Sequence, residues 1–511
     1  MRGEDLYSFR ELWRQYRSCR RNKRNTANAL AFEVNAEANL LALQSQLRDH
    51  SYRPGRSICF VTKGGKPREV FAADFRDRIV HHLLVWHLEQ VFEPRFIHDS
   101  YACRRGKGTL AASDRLTQFL GRVTANGRRP AWALKLDVAS FFPSIDKETL
   151  FRIIARHVHH PELLWLTHTV LFHDPTTNYT FQPRKRGVPP PFDGGYPVPP
   201  RKSLFGNGNA RGLPIGNLTS QFWGNVYLNE LDQFVKRILL CRYYVRYVDD
   251  MVFLAASPAQ LIQWRAAVEV FLREKLKLEL RPEVAEPFGV ERGIDFVGWK
   301  TWWNRRLPRR LALGNLRGRL RAFEQAAIRS GLHGRAQRIA LERRAGAGSV
   351  GRLQTVLASY AGHLQHGAAW REWVVLWRDH PWLESLFEVN GWAVVARFSA
   401  ALIVRARRFR EQYCALVRRA GNGCLVFCPV GRFVEFRGAQ RVLAERTLEL
   451  RTTYCARAGF ALVAGFPAHL VACYRWRAIL KGYAVVEVRE ALEDVAGCRL
   501  RVPGTLWRPM G

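Results

Sequence analysis

The sequence predicts a mixed α/β (α+β) chain of several folded units, and three patterns carry that expectation. Apolar, β-branched runs from Ala131 to Val138 and on both sides of the pair Asp249-Asp250 read as strands. From Arg309 to about Trp377 the chain is rich in Arg, Leu and Ala at helical spacing. Beyond about residue 395 it reads strand, turn, strand, helix, strand, helix, strand, a compact α/β unit. A length of 511 residues, 47% of them hydrophobic, suffices for three or four such units with real cores.

In YYVRYVDDMVFLA the flanking runs form the two strands of an expected hairpin, so Asp249 and Asp250 stand side by side at its turn. Two acids in a buried turn are costly unless cations neutralise them, which points to a divalent metal. An exposed Asp-Asp turn of no chemical consequence is the alternative, because turns favour Asp for local hydrogen bonding. The segment AWALKLDVASFFPSID weighs against it. Its strand, interrupted by Lys135, carries Asp137 near its end, where a strand can aim a carboxylate into a cleft. Two Mg²⁺ ions about 3.5–4 Å apart need bridging carboxylate oxygens. Asp137 and Asp249 are the expected bridging ligands, Asp250 the supporting one, and Val138 joins Asp137 in the metal-binding set. Mn²⁺ accepts the same oxygen ligands.

In order, LDVASFFPSID, GLPIGNLTSQFWGNVYLNELDQFV, YVRYVDD and GIDFVGW resemble the palm of a reverse transcriptase of the group II intron-like superfamily. The second segment resembles that of a diversity-generating retroelement. Where most reverse transcriptases carry Gln-Gly-x-x-x-Ser-Pro, this chain has Ile215, Gly216, Ser220 and Gln221. The resemblance implies a right-hand polymerase fold with fingers, palm and helical thumb. It also implies RNA-directed DNA synthesis by in-line nucleotidyl transfer, with an RNA template, a DNA or RNA primer and dNTPs as partners. Phe142, five residues past Asp137, would exclude ribonucleotides by volume, and core packing is the other role open to it. Gly216 permits close backbone approach to the base pair being formed. Ile215 stands where others place a hydrogen-bonding amide, so control of the templating base should loosen. The family implication is adenine-directed infidelity: cDNA copied from a template repeat acquires substitutions at adenines and replaces a variable repeat, the process of mutagenic retrohoming.

The same resemblance divides the chain into fingers with a basic N-terminal helical region (1–130), palm (131–300), helical thumb (301–390) and a further module (395–511). In KGGKPREVFAADFRDRIVHHLL, Lys66 and Arg68 would meet the incoming triphosphate; GGKP is also a turn signal, and an ordinary solvated turn stays open. SYACRRGKGT puts forward Arg104, Arg105 and Lys107 as template-backbone contacts, and GIDFVGW puts Gly298 and Trp299 in a primer-grip-like turn. One departure concerns the end of the palm. Where the family often has Lys after His-Pro, this chain reads Leu280, Arg281, Pro282, Glu283, so the usual proton donor to pyrophosphate is missing, with Arg281 or solvent to replace it. The Pro- and Gly-rich stretch 174–212 denies ladder and helix hydrogen bonds and predicts an extended insertion over the palm, a spacer or a basic cover for the template.

Lys plus Arg total 80 against 44 Asp plus Glu, a net charge of +36, which predicts salt-sensitive, largely sequence-independent phosphate binding by counterion release. The stretch RQYRSCRRNKRN reads as a helix that grips RNA or as a solvated face. Ten cysteines without a Cys-x-x-Cys pair fit a reduced cytoplasm better than a disulfide framework or zinc site. No uninterrupted apolar run reaches about 18 residues, so no membrane partner is expected.

The segments GCLVFCPVGRFVEFRGAQRVLAERTLEL and ALVAGFPAHLVACYRWRAILKGYAVVEVREA resemble the mismatch-recognition domain of the repair protein MutS. The match covers Gly431, Phe433 and Glu435 of a Gly-x-Phe-x-Glu signature and Ala464, Gly465, Phe466 and Pro467 of Ala-Gly-x-Pro. In that family the Phe wedges beside a mispaired base and the Glu hydrogen-bonds to it. Residues two apart on an extended segment point the same way, as such a pair requires. A core Phe433 with a solvated Glu435 is the alternative. Related retroelements commonly employ a small basic accessory protein, a role this module could take. Three functions therefore compete: a retroelement reverse transcriptase, a reverse transcriptase of another element such as an intron or phage-defence system, and a catalytically idle nucleic-acid-binding scaffold.

Overall fold

In this computed structural model the described residues are 5–21, 26–62, 66–183, 188–192, 195–282, 286–328, 346–396, 413–414, 417–418, 420–421, 423–430, 433–454, 462–490, 500–501 and 506–507. Gly431 and Glu283 lie outside them, as do residues 22–25 of the basic N-terminal stretch. The chain divides into two units, Met1–Arg310 and Leu311–Gly511.

The first unit begins with α1 (Phe9–Arg20), α2 (Ala27–Val34) and α3 (Ala36–Arg48). Their apolar faces, including Leu12, Tyr16, Phe32 and Leu43, join those of α4 (Phe75–Phe92) in one core. Arg20, in the basic stretch, is buried against Glu33 and belongs to this packing, while Arg10, Arg14 and Arg17 are exposed. Strands β1 (Ser57–Val61) and β2 (Glu69–Ala72) form an antiparallel hairpin. Next come α5 (Thr109–Val123), β3 (Trp132–Asp137), the single turn α6 (Phe141–Ser144), α7 (Lys147–Ala155), α8 (Pro161–Leu171) and β4 (Tyr179–Phe181).

Strand β4 corrects one expectation. The Pro/Gly-rich stretch is not merely an extension, because β4 pairs in parallel with β1. Glu69 anchors the rest of it, accepting from Tyr196 Oη at 2.9 Å, Ser203 Oγ at 2.8 Å and the Leu204 amide at 2.8 Å. Three donors converging on one buried carboxylate compensate its desolvation. Proline spacing hid this: the ladder uses residues 179–181, before the densest prolines, and the anchor lies far away in sequence.

Helix α9 (Leu218–Arg237), β5 (Tyr243–Tyr247), β6 (Asp250–Ala255), α10 (Pro258–Leu276) and β7 (Phe288–Gly289) complete a four-stranded sheet in the order β5-β6-β3-β7, antiparallel throughout. Alternation along the strands sorts their side chains onto two faces. Leu134, Leu136, Met251 and Phe253 pack with Val226, Leu231, Leu261 and Leu272 of α9 and α10. Ala133, Val245, Val252 and Leu254 pack with Leu116 and Phe119 of α5. A small sheet follows, β8 (Ile294–Phe296), β9 (Trp299–Thr301) and β10 (Arg306–Pro308).

In the second unit, helices Arg310–Ile328, Gly346–Leu364 and Trp370–Asp379 share a core of Leu316, Leu320, Leu353, Leu357 and Trp373. A hairpin of β11 (Phe387–Asn390) and β12 (Ala393–Ala396) follows. The remainder builds a six-stranded sheet, ordered β15-β16-β14-β13-β17-β18, from β13 (Cys424–Val430), β14 (Phe433–Arg437), β15 (Thr452–Tyr454), β16 (Leu462–Pro467), β17 (Ala484–Glu487) and β18 (Leu506–Trp507). Helices Ala439–Leu448 and Val471–Leu480 complete it. The three-residue strand β15 is absent from the pattern expected, being too short and too rich in Thr to stand out as an apolar run.

Candidate active site

Asp137 and Asp250 face each other across the β3–β6 ladder as its last paired residues. Because Lys135 and Asp137 alternate with Leu134 and Leu136, packing the leucines onto α9 and α10 puts the carboxylate on the opposite face, at an open strand end. Asp249 precedes Asp250 in the tight turn, where Val248 takes a left-handed φ of 55°. Asp137, distant in the sequence, is thus brought beside the Asp249-Asp250 pair.

Their electrostatics are those of a crowded anionic site. Partial burial, then the charge of Asp137 and a hydrogen bond shared with it, push the Asp249 carboxyl up to about 7. Burial also raises Asp250, and Lys135 partly opposes this. Lys135 Nζ lies 3.2 Å from Asp250 Oδ2, and Arg281 Nη1 lies 2.9 Å from Asp137 Oδ2. The other oxygens, Asp137 Oδ1 and Asp250 Oδ1, are buried with no hydrogen-bond partner. Orphaned carboxylate oxygens beside a carboxyl that resists ionisation fit a divalent cation. Among the described residues, however, no three acids, histidines or cysteines stand together as a ready-made metal cage.

Val138 is buried and sits in an antiparallel bridge to Leu280. The bonds of that bridge use the Asp137 carbonyl and Ala139 amide, so the Val138 carbonyl is turned away from it. Arg281 is held in place by its own amide, which donates to the Asp137 carbonyl at 2.9 Å. Phe142 is half-buried, tilted against Phe141 with centroids 5.1 Å apart. Lys66 and Arg68 are exposed in the connection from β1 to β2.

Several expected contacts belong to packing instead. The Arg104 side chain is 7% exposed, paired with Glu93 at 2.7 Å and bonded to the carbonyls of Ile97 and Ser100. Lys107 donates to the His98 carbonyl and lies over the Tyr101 ring. Arg105, 76% exposed, keeps its charge at the surface while pairing with Glu89 at 3.4 Å. Trp299 is buried under Arg306, leaving Gly298 in the open β8–β9 turn. Ser220 is buried, its hydroxyl lining a cavity with His81 and Trp223. Gly216, with φ 118°, approaches the hairpin strand β2, where an added Cβ would fall 2.7 Å from Val70 Cγ1 and 3.2 Å from the Phe71 carbonyl. Ile215 accepts the Phe71 amide through its carbonyl at 2.9 Å, and Gln221 is exposed beside Cys103. In the second unit Phe433 is 47% exposed, whereas Glu435 is paired with the buried Arg437 and is not a solvated strand residue. The sequence reading noted Lys135 only as an interruption and passed over Arg246; both carry charge inside apolar strands, which was the available signal.

Residues 61–300 match the family model described as reverse transcriptase (RNA-dependent DNA polymerase). These residues form a reverse transcriptase domain. With the sheet and its acids, the match makes the first unit a right-hand polymerase fold of mixed α/β class. Two curated relatives are similar at low identity. The uncharacterized 91 kDa protein in cob intron of Schizosaccharomyces pombe is 22% identical over 216 residues, 42% of this chain and 22% of that protein. Protein YkfC of Escherichia coli is 23% identical over 308 residues, 53% of this chain and 73% of that protein. The chain therefore spans less than a quarter of the first relative. Among solved structures, telomerase from Candida tropicalis in complex with a TWJ fragment of telomeric RNA aligns at 11% identity and TM-score 0.36, covering 68% of this chain and 60% of that one. The apo telomerase from the same organism aligns at 11% identity and TM-score 0.34, over 54% and 60%. Reverse transcriptase domains generally use divalent metals such as Mg²⁺. No helix among the described residues is long and apolar enough to cross a membrane.

Proposed function

We propose that the protein is an RNA-directed DNA polymerase that copies a template-repeat RNA into adenine-mutagenised cDNA for mutagenic retrohoming in a diversity-generating retroelement. The observation that carries the catalytic part is the meeting of Asp137, Asp249 and Asp250 at one strand end, with orphaned carboxylate oxygens inside a reverse transcriptase domain. Asp137, Asp249 and Asp250, with the Val138 carbonyl, would hold two Mg²⁺ or Mn²⁺ ions. Bound there, such ions supply Lewis-acid charge at the reacting phosphate and lower the pKa of the primer 3′-hydroxyl. The protein's own groups do the positioning. Exposed Lys66 and Arg68 would offset triphosphate charge, and Arg281, tethered by its amide beside Asp137, would meet the leaving pyrophosphate. Half-buried Phe142, five residues past Asp137, would act as a bulky wall against a 2′-hydroxyl.

The retroelement assignment rests on Ile215, Gly216, Ser220 and Gln221. Ile215 is the residue that would relax base selection. The helices of the second unit are read as the thumb, the segment up to 130 as the fingers, and residues 395–511 as a MutS-like module in which Phe433 offers an exposed ring to distorted duplex. That module would replace or assist an accessory protein. Ten cysteines without a Cys-x-x-Cys pair suit a reducing cytoplasm. A second reading, an intron-associated reverse transcriptase, is favoured by the relative described as lying in a cob intron. Primer extension on RNA with product sequencing separates the two: errors concentrated at template adenines support the retroelement role, and an even error spectrum supports the intron role.

A further inference from the structure

Arg246 is wholly buried and immediately precedes the turn Tyr247-Val248-Asp249-Asp250. A guanidinium has five N–H donors, and here all five are used. Nε donates to Asp232 Oδ1 at 2.8 Å. Nη2 donates to Asp232 Oδ2 at 2.6 Å and to Ser100 Oγ at 3.0 Å. Nη1 donates to Asn225 Oδ1 at 3.2 Å and to the Val248 carbonyl at 2.9 Å. Asp232 also accepts from Tyr244 Oη at 2.8 Å. The arrangement follows from the two periodicities: Tyr244 and Arg246 lie two apart on β5, and Asn225 and Asp232 lie about two turns apart on α9. The main chain is engaged as well, since the Arg246 amide donates to the Asp99 carbonyl and its carbonyl accepts from the Tyr101 amide, both at 3.0 Å. One residue fastens α9, the 99–101 segment and the acidic turn together.

The bond to Val248 is the consequential one. A β-branched residue at φ 55° is strained and persists only where its surroundings impose it. A buried ion pair is weak evidence of stabilisation in itself, because desolvation offsets its attraction. We infer that Arg246 is a positioning residue for catalysis: through its bond to the Val248 carbonyl it holds the turn in the left-handed conformation that sets Asp249 against Asp137. This rests on the reverse transcriptase reading above.

The test is a double-mutant cycle between Arg246→Lys and Val248→Gly. It is followed by RNA-templated primer extension, template–primer binding, and amide hydrogen exchange of residues 247–250 in metal-free protein. Lysine keeps a charge for Asp232 but cannot reach Ser100, Asn225 and Val248 together, and glycine adopts positive φ without strain. Arg246→Lys should lower the maximal incorporation rate roughly 100-fold, as expected for a misplacement of about 1 Å. The dNTP half-saturation and template–primer affinity should stay within about threefold. Exchange at the turn should quicken. In the Val248→Gly background the same change should cost roughly tenfold or less in rate. Equal losses in both backgrounds, unchanged exchange, or a matching loss of template–primer affinity would overturn the inference. Should Arg246→Lys not fold, Ser100→Ala keeps the ion pair and removes one acceptor; a rate loss of about fivefold that vanishes in the Val248→Gly background supports the clamp, and equal effects refute it. Wild-type protein without any incorporation would defeat the reverse transcriptase reading, and the exchange measurement would still decide the clamp.

Discussion

Replacing Asp249 by Asn should stabilise the metal-free protein above neutral pH while removing its response to Mg²⁺. Burial and the neighbouring Asp137 raise the Asp249 carboxyl from 3.8 to about 7 in the folded chain. A raised folded value means that the folded chain keeps a proton the unfolded chain has lost, so the associated stability is fully present below 3.8 and is lost as pH rises through about 7. At about 1.36 kcal/mol per pKa unit the ceiling on this loss is roughly 4 kcal/mol. Residual hydration of this part-exposed carboxyl reduces it to about 1–2 kcal/mol, since part-screened charges contribute far less than buried ones. Asn carries no charge to repel Asp137, so Asp249→Asn should raise Tm in EDTA by roughly 1–3 °C at about pH 8 and leave it unchanged below about pH 4. Thermal unfolding followed across this range, with and without Mg²⁺, measures the effect. Wild-type protein should gain stability from Mg²⁺ at about pH 8, and Asp249→Asn should lose most of that gain. A Tm that falls at every pH, or a Mg²⁺ response that survives the substitution, would refute the reasoning.

Further outcomes follow from other parts of the molecule. Gly216→Ala forces a Cβ to 2.7 Å from Val70 Cγ1 at φ 118°, and should destabilise the first unit by about 1–3 kcal/mol, measured by denaturant unfolding. Ile215→Gln should lower misincorporation opposite template adenine; an unchanged error spectrum would discard Ile215 as a determinant. Phe433→Ala should weaken binding to bulged or mismatched duplex by about 1–3 kcal/mol, the scale of a stacking contact, and perfect duplex much less. Equal losses on both duplexes would assign Phe433 to packing.

How much of this could be read in advance depends on whether a residue's role was local. The strands bearing Asp137 and Asp249-Asp250 were legible because alternation and β-branching are properties of a few neighbouring residues. Their meeting was legible only through the order of motifs. Roles set by distant partners were not readable. Arg104 looked like a phosphate contact because its burial depends on Glu93 and Phe96, and Ser220 looked functional because nothing in its neighbours announces that its hydroxyl faces a cavity. Gly216 was expected to allow approach to the base pair being formed, and the close neighbour that the structure gives it is β2. Strand β4 was hidden by proline a few residues away, since one short parallel ladder needs only three suitable residues.

The most direct test of the central claim is primer extension on an RNA template with purified protein, wild type beside Asp249→Ala, with template–primer binding measured in parallel. The wild type should extend the primer with dNTPs in the presence of Mg²⁺ or Mn²⁺, and Asp249→Ala should bind the same template–primer nearly as tightly without extending it. Extension that persists in Asp249→Ala would contradict the assignment of Asp137, Asp249 and Asp250 as the centre of catalysis.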